Sequence, residues 1–297
     1  MLNIIVNPYA GRGKCKNEAE KVARILDEKK IPYKLHYTEY PKHAAEIAHK
    51  LVLEGADAVV SAGGDGTLHE VVNGVISARK TIEKNGGNFK TAIGVLPCGT
   101  GNDFMASVNL PSDVASALEK IIDGKPVPLD AIDVDGVYEI CFACRGIDVD
   151  VVNMVNAGKT KTPSSYLKNI LKCIFKGIKY HFEIIIDDKR IETTGIVAAV
   201  LNGSVLAGGL SFCPPASPFD GALDVIVIEK RNALKTLFHL TKLLKNKGFI
   251  DGKTVKHFTG SHVEIYARQD CIDVDGELYA NKKFDAKIAP NILELII

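Results

Sequence analysis

Short apolar runs alternate with helix-period patterns over the first 128 residues. The apolar runs, rich in β-branched residues, lie at 2–6, 33–38, 57–62 and 91–97, and helix-period patterns lie near 42–54 and 68–78. Strands that alternate with helices are typical of a mostly parallel sheet flanked by helices. We therefore predict an α/β domain over residues 1–128, with its candidate site beyond the carboxyl ends of the strands.

From about Leu129 the pattern changes to strands joined by tight turns. Asp135-Gly136 joins LDAIDV to VYEICFA, DDK joins HFEIII to RIETTGIVAAVL, and a second Asp-Gly pair lies within YARQDCIDVDGELY. Asp-Gly is favoured in two-residue hairpin turns. The pattern predicts an antiparallel β-sandwich domain over 129–297, with helices inserted near 164–179 and 232–247. The last strand of this domain is free to return to the first.

Composition narrows the class of protein. Apolar residues make up 46% of the 297, which excludes disorder, and 37 basic residues nearly balance 36 acidic ones. We therefore expect no nucleic-acid partner that is held by a globally basic surface. Seven scattered cysteines, with a single C-x-x-C at Cys141 and Cys144, indicate reduced thiols of a cytosolic protein. Because no apolar run approaches the roughly 20 residues of a membrane span, we expect a cytoplasmic location.

Two Gly-rich loops follow predicted strands, GGDGT at 63–67 and LPCGTGND at 96–103. Bare backbone N–H groups and helix N-termini in such loops bind anions. A single GGDGT is also compatible with a simple turn in which Asp65 caps the helix. Two such loops on parallel strands face one crevice, which favours a nucleotide site. No G-x-G-x-x-G follows the first strand, and the Walker-like strings that end in Gly158-Lys159-Thr160 and Gly252-Lys253-Thr254 lack their first glycine.

Five motifs occur in a specific order. They are NPYAGRG at 7–13, SAGGDGTLHEVVNG at 61–74, LPCGTGNDF at 96–104, FDGALDV at 219–225 and DVDGE at 273–277. The chain resembles the soluble bacterial members of the diacylglycerol kinase family, whose relatives include sphingosine and ceramide kinases. GGDGT is shared with NAD kinases, whereas GTGNDF and DGE favour the lipid kinases. The resemblance implies an ATP- and Mg²⁺-dependent phosphotransferase, with both bound between an α/β and a β-sandwich domain, that acts on diacylglycerol or a similar lipid alcohol.

The resemblance also assigns the positions that bind nucleotide and metal. The nucleotide positions are Asn7, Arg12, Gly63, Gly64, Gly66, Thr67, Gly99, Thr100, Gly101 and Asn102. Arg12 stands where the family often has Lys, and it keeps the positive charge. Asp65, Asp103 and Asp130 match positions that anchor Mg²⁺ through waters, a role that suits carboxylates. From the residues alone, a helix cap is the more common role for a residue such as Asp103, and a strand-end carboxylate for Asp130.

By the same resemblance, Asp275 is the general base and Glu277 supports it. The pentapeptide IDVDG occurs at 132–136 and again at 272–276, and only the second copy continues as the DGE of the family. We expect at least one copy to be a plain hairpin turn.

A second magnesium site is implied more weakly. In relatives this site uses two Asp and a backbone carbonyl. Asp220 matches the later Asp, and Ala222 matches the carbonyl position. Ser217 stands in place of the first Asp. We therefore expect weak binding there, and Asp220-Gly221 is also compatible with a turn.

Two segments are basic and amphipathic. Residues 159–180 and 230–247 each carry six basic side chains and no acidic one. Their apolar stripes are Leu167, Ile170, Leu171, Ile174, Phe175 and Ile178 in the first, and Leu234, Leu237, Phe238, Thr241 and Leu244 in the second. We expect at least one to dock peripherally on an anionic membrane; packing of both stripes on the sandwich is the alternative.

The sequence also leaves other functions open. The alternative hypotheses are a soluble NAD kinase-like kinase and a non-catalytic regulator that binds lipid or nucleotide. A homodimer is compatible with the sequence, as is a monomer.

Overall fold

The computed structural model describes residues 1–158, 163–245 and 249–297, with side chains described from 166 onward in the second range. Parts of the Walker-like string and of both basic segments, such as Lys159, Thr160 and Lys247, lie outside the described residues. The chain forms two compact units: residues Met1–Ala131 with Pro290–Ile297, and Ile132–Ala289. Within the described residues, no helix is both long and apolar enough to cross a bilayer.

The first unit is built on parallel strands. Its strands are β1 (Leu2–Val6), β2 (Tyr33–Tyr37), β3 (Ala58–Gly63), β4 (Ala92–Pro97) and part of β5 (Pro126–Val134). Its helices are α1 (Lys14–Glu28), α2 (His43–Leu53), α3 (Asp65–Lys84), α4 (Asp103–Ser107) and α5 (Val114–Asp123). The strands pair in the order β2-β1-β3-β4, and every one of these pairs is parallel. The prediction of a mostly parallel sheet flanked by helices is confirmed.

Burial explains why these segments form helices and strands. In α1 the buried residues Cys15, Ala19, Val22 and Leu26 follow helical spacing, so one face of the helix packs inward. The central strands instead bury continuous runs, as in the IIV of β1 at 4–6. Such runs are expected for strands that are covered on both faces.

The second unit is antiparallel. Its strands are β6 (Val137–Glu139), β7 (Phe142–Gly146), β8 (Tyr180–Ile186), β9 (Lys189–Leu201), β10 (Val205–Leu206), β11 (Leu210–Ser211), β12 (Leu223–Glu229), β13 (Val255–Gly260), β14 (His262–Tyr266), β15 (Cys271–Val274), β16 (Glu277–Ala280) and β17 (Asp285–Ile296). Its helices are α6 (Ile147–Asn156), α7 (Pro163–Phe175) and α8 (Ala233–Leu244).

These strands enclose one apolar core. The order is β16-β15-β7-β9-β8-β14-β17, and β12 lies between β9 and β13. Buried residues from several of the strands, among them Phe182, Val200, Val225 and Ile272, form the core. The predicted sandwich is confirmed. Strands β5 and β17 contribute residues to both units, and the carboxyl-terminal part of β17 pairs parallel to β4 through Leu295 and Ile93.

One predicted strand is interrupted. VYEICFA, predicted as one strand over 137–143, forms β6 and β7 with a break after Glu139. The side chain of Glu139 is buried, and its Oε1 atom accepts hydrogen bonds from the N–H groups of Ile140 at 2.7 Å and Cys141 at 2.9 Å. Because these N–H groups bond to a side chain, they are not available to a strand ladder, and the strand stops.

Candidate active site

Three loops follow the carboxyl ends of β1, β3 and β4. In the parallel register Val6 lies opposite Ala62 and Gly63 lies opposite Pro97, so the three strands end side by side. The loops are residues 7–13, the start of α3, and residues 98–102. This arrangement brings together the two Gly-rich loops and the NPYAGRG motif.

Asn7 ties the first loop to the second. Its Nδ2 atom donates to Thr67 Oγ1 at 3.0 Å, and its backbone N–H donates to the Ala62 carbonyl at 3.0 Å. Its Oδ1 atom accepts from the N–H of Tyr9 at 3.1 Å. Asn7 and Thr67 are therefore held as a pair at the start of α3. Gly63 lies directly beneath Thr67, since a Cβ atom built on this glycine would be 2.4 Å from Thr67 Oγ1.

The loops touch through backbone atoms that only glycine permits. A Cβ atom at Gly99 would lie 2.4 Å from Gly64 Cα, and one at Gly11 would lie 2.4 Å from the Cys98 carbonyl oxygen. The N–H of Cys98 donates to the Gly63 carbonyl at 2.9 Å. Because side chains are excluded at these contacts, the loops meet through peptide backbone, a feature of loops that bind phosphate.

The remaining nucleotide positions lie on the open side of these loops. Arg12, Gly66, Thr100 and Gly101 are exposed, and Arg12 adopts a left-handed backbone with φ of 61°. Asn102 closes the third loop on itself, since its Oδ1 atom accepts from the N–H of Gly99 at 3.0 Å. The cap position of α3 is Gly64, which has no side chain to bond the first turn. The helix therefore starts without a side-chain cap, contrary to the simple reading of Asp65 as N-cap.

Asp65 and Asp103 converge on Gly101. A Cβ atom at Gly101 would lie 3.0 Å from Asp65 Oδ2 and 3.6 Å from Asp103 Oδ2. Asp65 Oδ1 accepts from the N–H of Phe104 at 3.4 Å. Burial, followed by the charge of Asp103, raises the pKa of Asp65 to about 6. Two neighbouring carboxylates, one of them with a raised pKa, fit a site for a divalent cation, which would offset the desolvation of Asp65 and its repulsion by Asp103.

Asp130 is held by a different part of the first unit. It is 2% exposed on β5, and its Oδ1 atom accepts from the backbone N–H of Asn291 at 2.7 Å. This bond fixes β5 against β17. The contact is a structural one, so the assignment of Asp130 to a magnesium network stays a prediction.

Asp275 lies at the tip of the β15–β16 hairpin. Asp275 and Gly276 have φ angles of 51° and 81°, the positive pair typical of a two-residue I′ turn. The N–H of Asp275 donates to the Phe142 carbonyl at 3.2 Å. Ligand atoms of Asp275, Glu139 and Cys141 all lie within 4.8 Å of one another. Glu277 is exposed on β16, opposite Val274 in the ladder.

Sequence reasoning missed Glu139. The only signal was an acidic residue inside an otherwise apolar strand pattern. Asp275 belongs to the second unit and Asp65 to the first, so their convergence on one reacting phosphate stays a prediction.

Asp220 forms a turn. Its Oδ1 atom accepts from the N–H of Ala222 at 3.1 Å across Gly221, whose φ is 73°. Nearby, the buried Asp224 binds His257 Nε2 at 2.5 Å, and Cys213 lies within 4.8 Å of both ligand atoms. Spacing along the chain could not identify this group, because its members lie in three separate segments. That Asp220 and Ala222 bind a magnesium ion stays a prediction.

Comparison with known proteins covers nearly the whole chain. Residues 1–134 match the family described as "Diacylglycerol kinase catalytic domain". Residues 142–297 match the one described as "YegS C-terminal NAD kinase beta sandwich-like domain". Proteins of Staphylococcus aureus strains Mu3 and Newman, each named "Putative lipid kinase", are both 26% identical over 262 residues, which is 86% of this chain and 82% of theirs.

Solved structures share the fold. One described as "Crystal structure of a putative diacylglycerol kinase from Bacillus anthracis str. Sterne" aligns with a TM-score of 0.80 at 22% identity. The alignment covers 99% of this chain and 96% of that one. At this identity the likeness establishes the fold alone.

Proposed function

Because the chain belongs to the diacylglycerol kinase family, we propose that it transfers the γ-phosphoryl group of ATP to the hydroxyl of diacylglycerol or a similar lipid alcohol. The observation that carries the proposal is the junction of three backbone-lined loops around Asp65 and Asp103. In the reaction, the lipid oxygen forms a bond to the γ-phosphorus as the bond between that phosphorus and the leaving oxygen of ADP breaks. The chain must therefore hold the phosphates, neutralise charge and accept a proton.

The loops of the first unit would hold the nucleotide. Backbone N–H groups around Gly64 and Gly99 can approach phosphate oxygens closely, since no side chain intervenes. The exposed guanidinium of Arg12 can bind the same phosphates with two N–H groups. Asn7 and Thr67, which are hydrogen-bonded to each other, would orient the loop at the start of α3.

Asp65 and Asp103 would hold Mg²⁺, directly or through its waters. When bound, the ion supplies positive charge to the β- and γ-phosphate oxygens. The two carboxylates fit this role because they converge on Gly101 from different helices. Asp130 would extend the network by the family assignment.

Asp275 would accept the proton of the lipid hydroxyl. Its turn is held by the backbone bond to Phe142, so the carboxylate is presented from a fixed hairpin tip. Glu277 would support the same site from the next strand.

A membrane-docking face would bring the lipid to the chain. Helices α7 and α8 pack against each other, and large apolar side chains stay exposed on them: Leu167 37%, Phe175 68%, Leu234 79%, Phe238 58% and Leu244 46%. In α8 the buried residues are instead Thr236, His239 and Leu243. The apolar stripe predicted for α8 thus largely faces outward, beside Lys235 and Lys245, which are also exposed. A surface that is both apolar and basic suits an anionic bilayer.

Acceptor choice tests the function. ATP consumption is measured with diacylglycerol in mixed micelles, with NAD, and with neither. We expect turnover with the lipid alone. Turnover with NAD would instead support a soluble NAD kinase-like function. Absence of turnover with NAD and with every lipid alcohol of a panel would support a non-catalytic regulator.

Vesicle flotation tests the docking face. Wild type should float with anionic vesicles and not with neutral ones. Phe238→Ser should weaken the binding, whereas Phe258→Ser, on the sheet rather than on the helices, serves as the control for loss of an aromatic side chain. Equal binding to both vesicle types, or none, would contradict the assignment.

A further inference from the structure

The second unit contains a pair of acidic side chains that the proposed roles leave unused. Asp273 on β15 is 0% exposed, and Asp148 lies in the first turn of α6, which packs on β15. Ligand atoms of Asp273, Asp148 and Cys144 lie within 4.8 Å of one another. Asp273 Oδ1 accepts from the N–H of Gly276 at 2.7 Å.

The other oxygen of Asp273 lacks a donor. Among the described residues, Asp273 Oδ2 has no hydrogen-bond partner although it is fully buried. Asp148 cannot serve while both groups are ionised, because two carboxylates are only acceptors. A buried charge without a partner costs several kcal/mol by the usual order of magnitude. A proton between the two carboxylates, or a metal ion bound by them, would remove this cost.

The surroundings favour a proton. Among the described residues, the titratable groups that face Asp273 are Asp148 from α6, Cys144 from β7, Tyr166 from α7 and Asp275 from its own turn. All four are acids, so none of them supplies positive charge. Cys144 Sγ donates to Asp148 Oδ2 at 3.5 Å, and burial raises the pKa of this thiol well above its usual range. The thiol thus keeps its hydrogen and is a poor metal ligand.

We propose that Asp148 and Asp273 share one proton, and that this pair positions the turn that carries Asp275. A proton on Asp273 Oδ2 lets that atom donate to the Asp148 carboxylate, while Oδ1 remains the acceptor for the Gly276 N–H. Asp273 then bonds both α6 and the hairpin tip. Loss of the proton leaves two adjacent anions, and their repulsion loosens the bond that holds Gly276 and therefore Asp275. Asp148 and Asp273 are positioning residues, and this part of the inference rests on the proposed function.

Burial, followed by the charge of Asp148, raises the pKa of Asp273 well above its usual value. A carboxyl group whose pKa is raised on folding binds more protons in the folded state than in the unfolded one. Stability conferred by this group therefore declines as pH rises from the unfolded pKa to the folded pKa.

The first test measures thermal unfolding of the full chain against pH. Asp273→Asn and Asp148→Asn each place a permanent amide donor between the two groups. The first removes the titration of Asp273, and the second leaves Asp273 titratable but removes the neighbouring charge. We expect the Tm of wild type to fall as pH rises above the ordinary pKa of an aspartate, and the Tm of either variant to fall distinctly less. Asp133→Asn is the matched control, because Asp133 makes the same turn bond in the first IDVDG copy. It should follow wild type.

Two results would overturn the shared proton. One is an Asp273→Asn variant whose Tm changes with pH as much as that of wild type. The other is a stoichiometric metal ion in purified wild type, found by elemental analysis and lost in Asp273→Asn, which would make the cluster a metal site.

The second test measures lipid phosphorylation against pH. Wild-type kcat should fall at the pH where the pair loses its proton, while Asp273→Asn should keep its kcat there. Asp273→Ala, which removes both bonds, should lower kcat at every pH more than Asp273→Asn does. Equal kcat profiles for wild type and Asp273→Asn would refute the positioning role. Absence of activity in wild type would instead refute the proposed function, and the unfolding test would still decide on the proton.

Discussion

The two IDVDG copies form the same turn in different surroundings. Asp135-Gly136 and Asp275-Gly276 have φ angles of 49° and 87°, and of 51° and 81°. In each copy the earlier Asp accepts from the glycine N–H, at 2.8 Å for Asp133 and 2.7 Å for Asp273. The pentapeptide thus determines the backbone and one hydrogen bond.

Their neighbours differ completely. Asp133 is partly exposed, and its Oδ2 atom accepts from the hydroxyl of Tyr138 at 2.8 Å. Asp273 is fully buried beside Asp148. At the tip, Asp135 is exposed and pairs with Lys282 at 3.6 Å, whereas Asp275 lies beside Glu139. Chemistry in these hairpins therefore depends on what packs against the turn and not on the turn itself.

The strongest challenge to this comparison is removal of the tip carboxylates. Asp275→Asn should lower kcat by roughly 100-fold or more, since the proposed proton acceptor is lost. Asp135→Asn should leave kcat unchanged, because it alters only an exposed ion pair. Steady-state phosphorylation of diacylglycerol measures both. Equal losses in the two variants would mean that the second copy has no special role.

The turn glycines should affect stability equally and activity unequally. Gly136→Ala and Gly276→Ala each place a Cβ atom on a left-handed backbone, at a cost of about 1–2 kcal/mol in the free energy of unfolding. No heavy atom lies within 4 Å of either Cβ position, so strain is the only expected cost. Denaturant unfolding should give matching values, while kcat falls for Gly276→Ala only. A much larger stability loss in one copy would disprove the equivalence of the backbones.

The sequence predicted the architecture because its signals are local. Apolar runs such as 2–6, 57–62 and 91–97, which precede Gly-rich loops, and runs joined by Asp-Gly turns identify strands and turns without knowledge of their partners. The fold class was predicted correctly on this basis, whereas the family was predicted correctly from its resemblance in five ordered motifs. The contact between Gly64 and Gly99 was also accessible in outline, since loops after neighbouring parallel strands must meet.

The acidic pairs were not accessible. Asp148 and Asp273 are separated by more than a hundred residues and meet only because α6 packs on β15. Glu139 ends β6 because its side chain accepts hydrogen bonds from the N–H groups of the next two residues. These bonds compete with strand pairing, and strand propensity does not reveal them. The five residues of the two IDVDG copies are identical, so they could not show which copy is buried. Burial depends on the elements that pack against each turn.

The smallest expected effect concerns Tyr138, whose hydroxyl donates to the second carboxylate oxygen of Asp133. Tyr138→Phe removes the hydroxyl that donates to Asp133 Oδ2 and leaves the ring in place. Because Asp133 is partly exposed, water can replace the lost donor, and the free energy of unfolding should fall by about 1 kcal/mol or less. The pH dependence of the Tm and the value of kcat should both match wild type. Denaturant unfolding at the same pH compares this variant with Asp273→Ala. An equal loss in the free energy of unfolding would show that the two turns depend equally on a donor to the second carboxylate oxygen of the earlier Asp. The contrast between an exposed and a buried copy would then no longer hold.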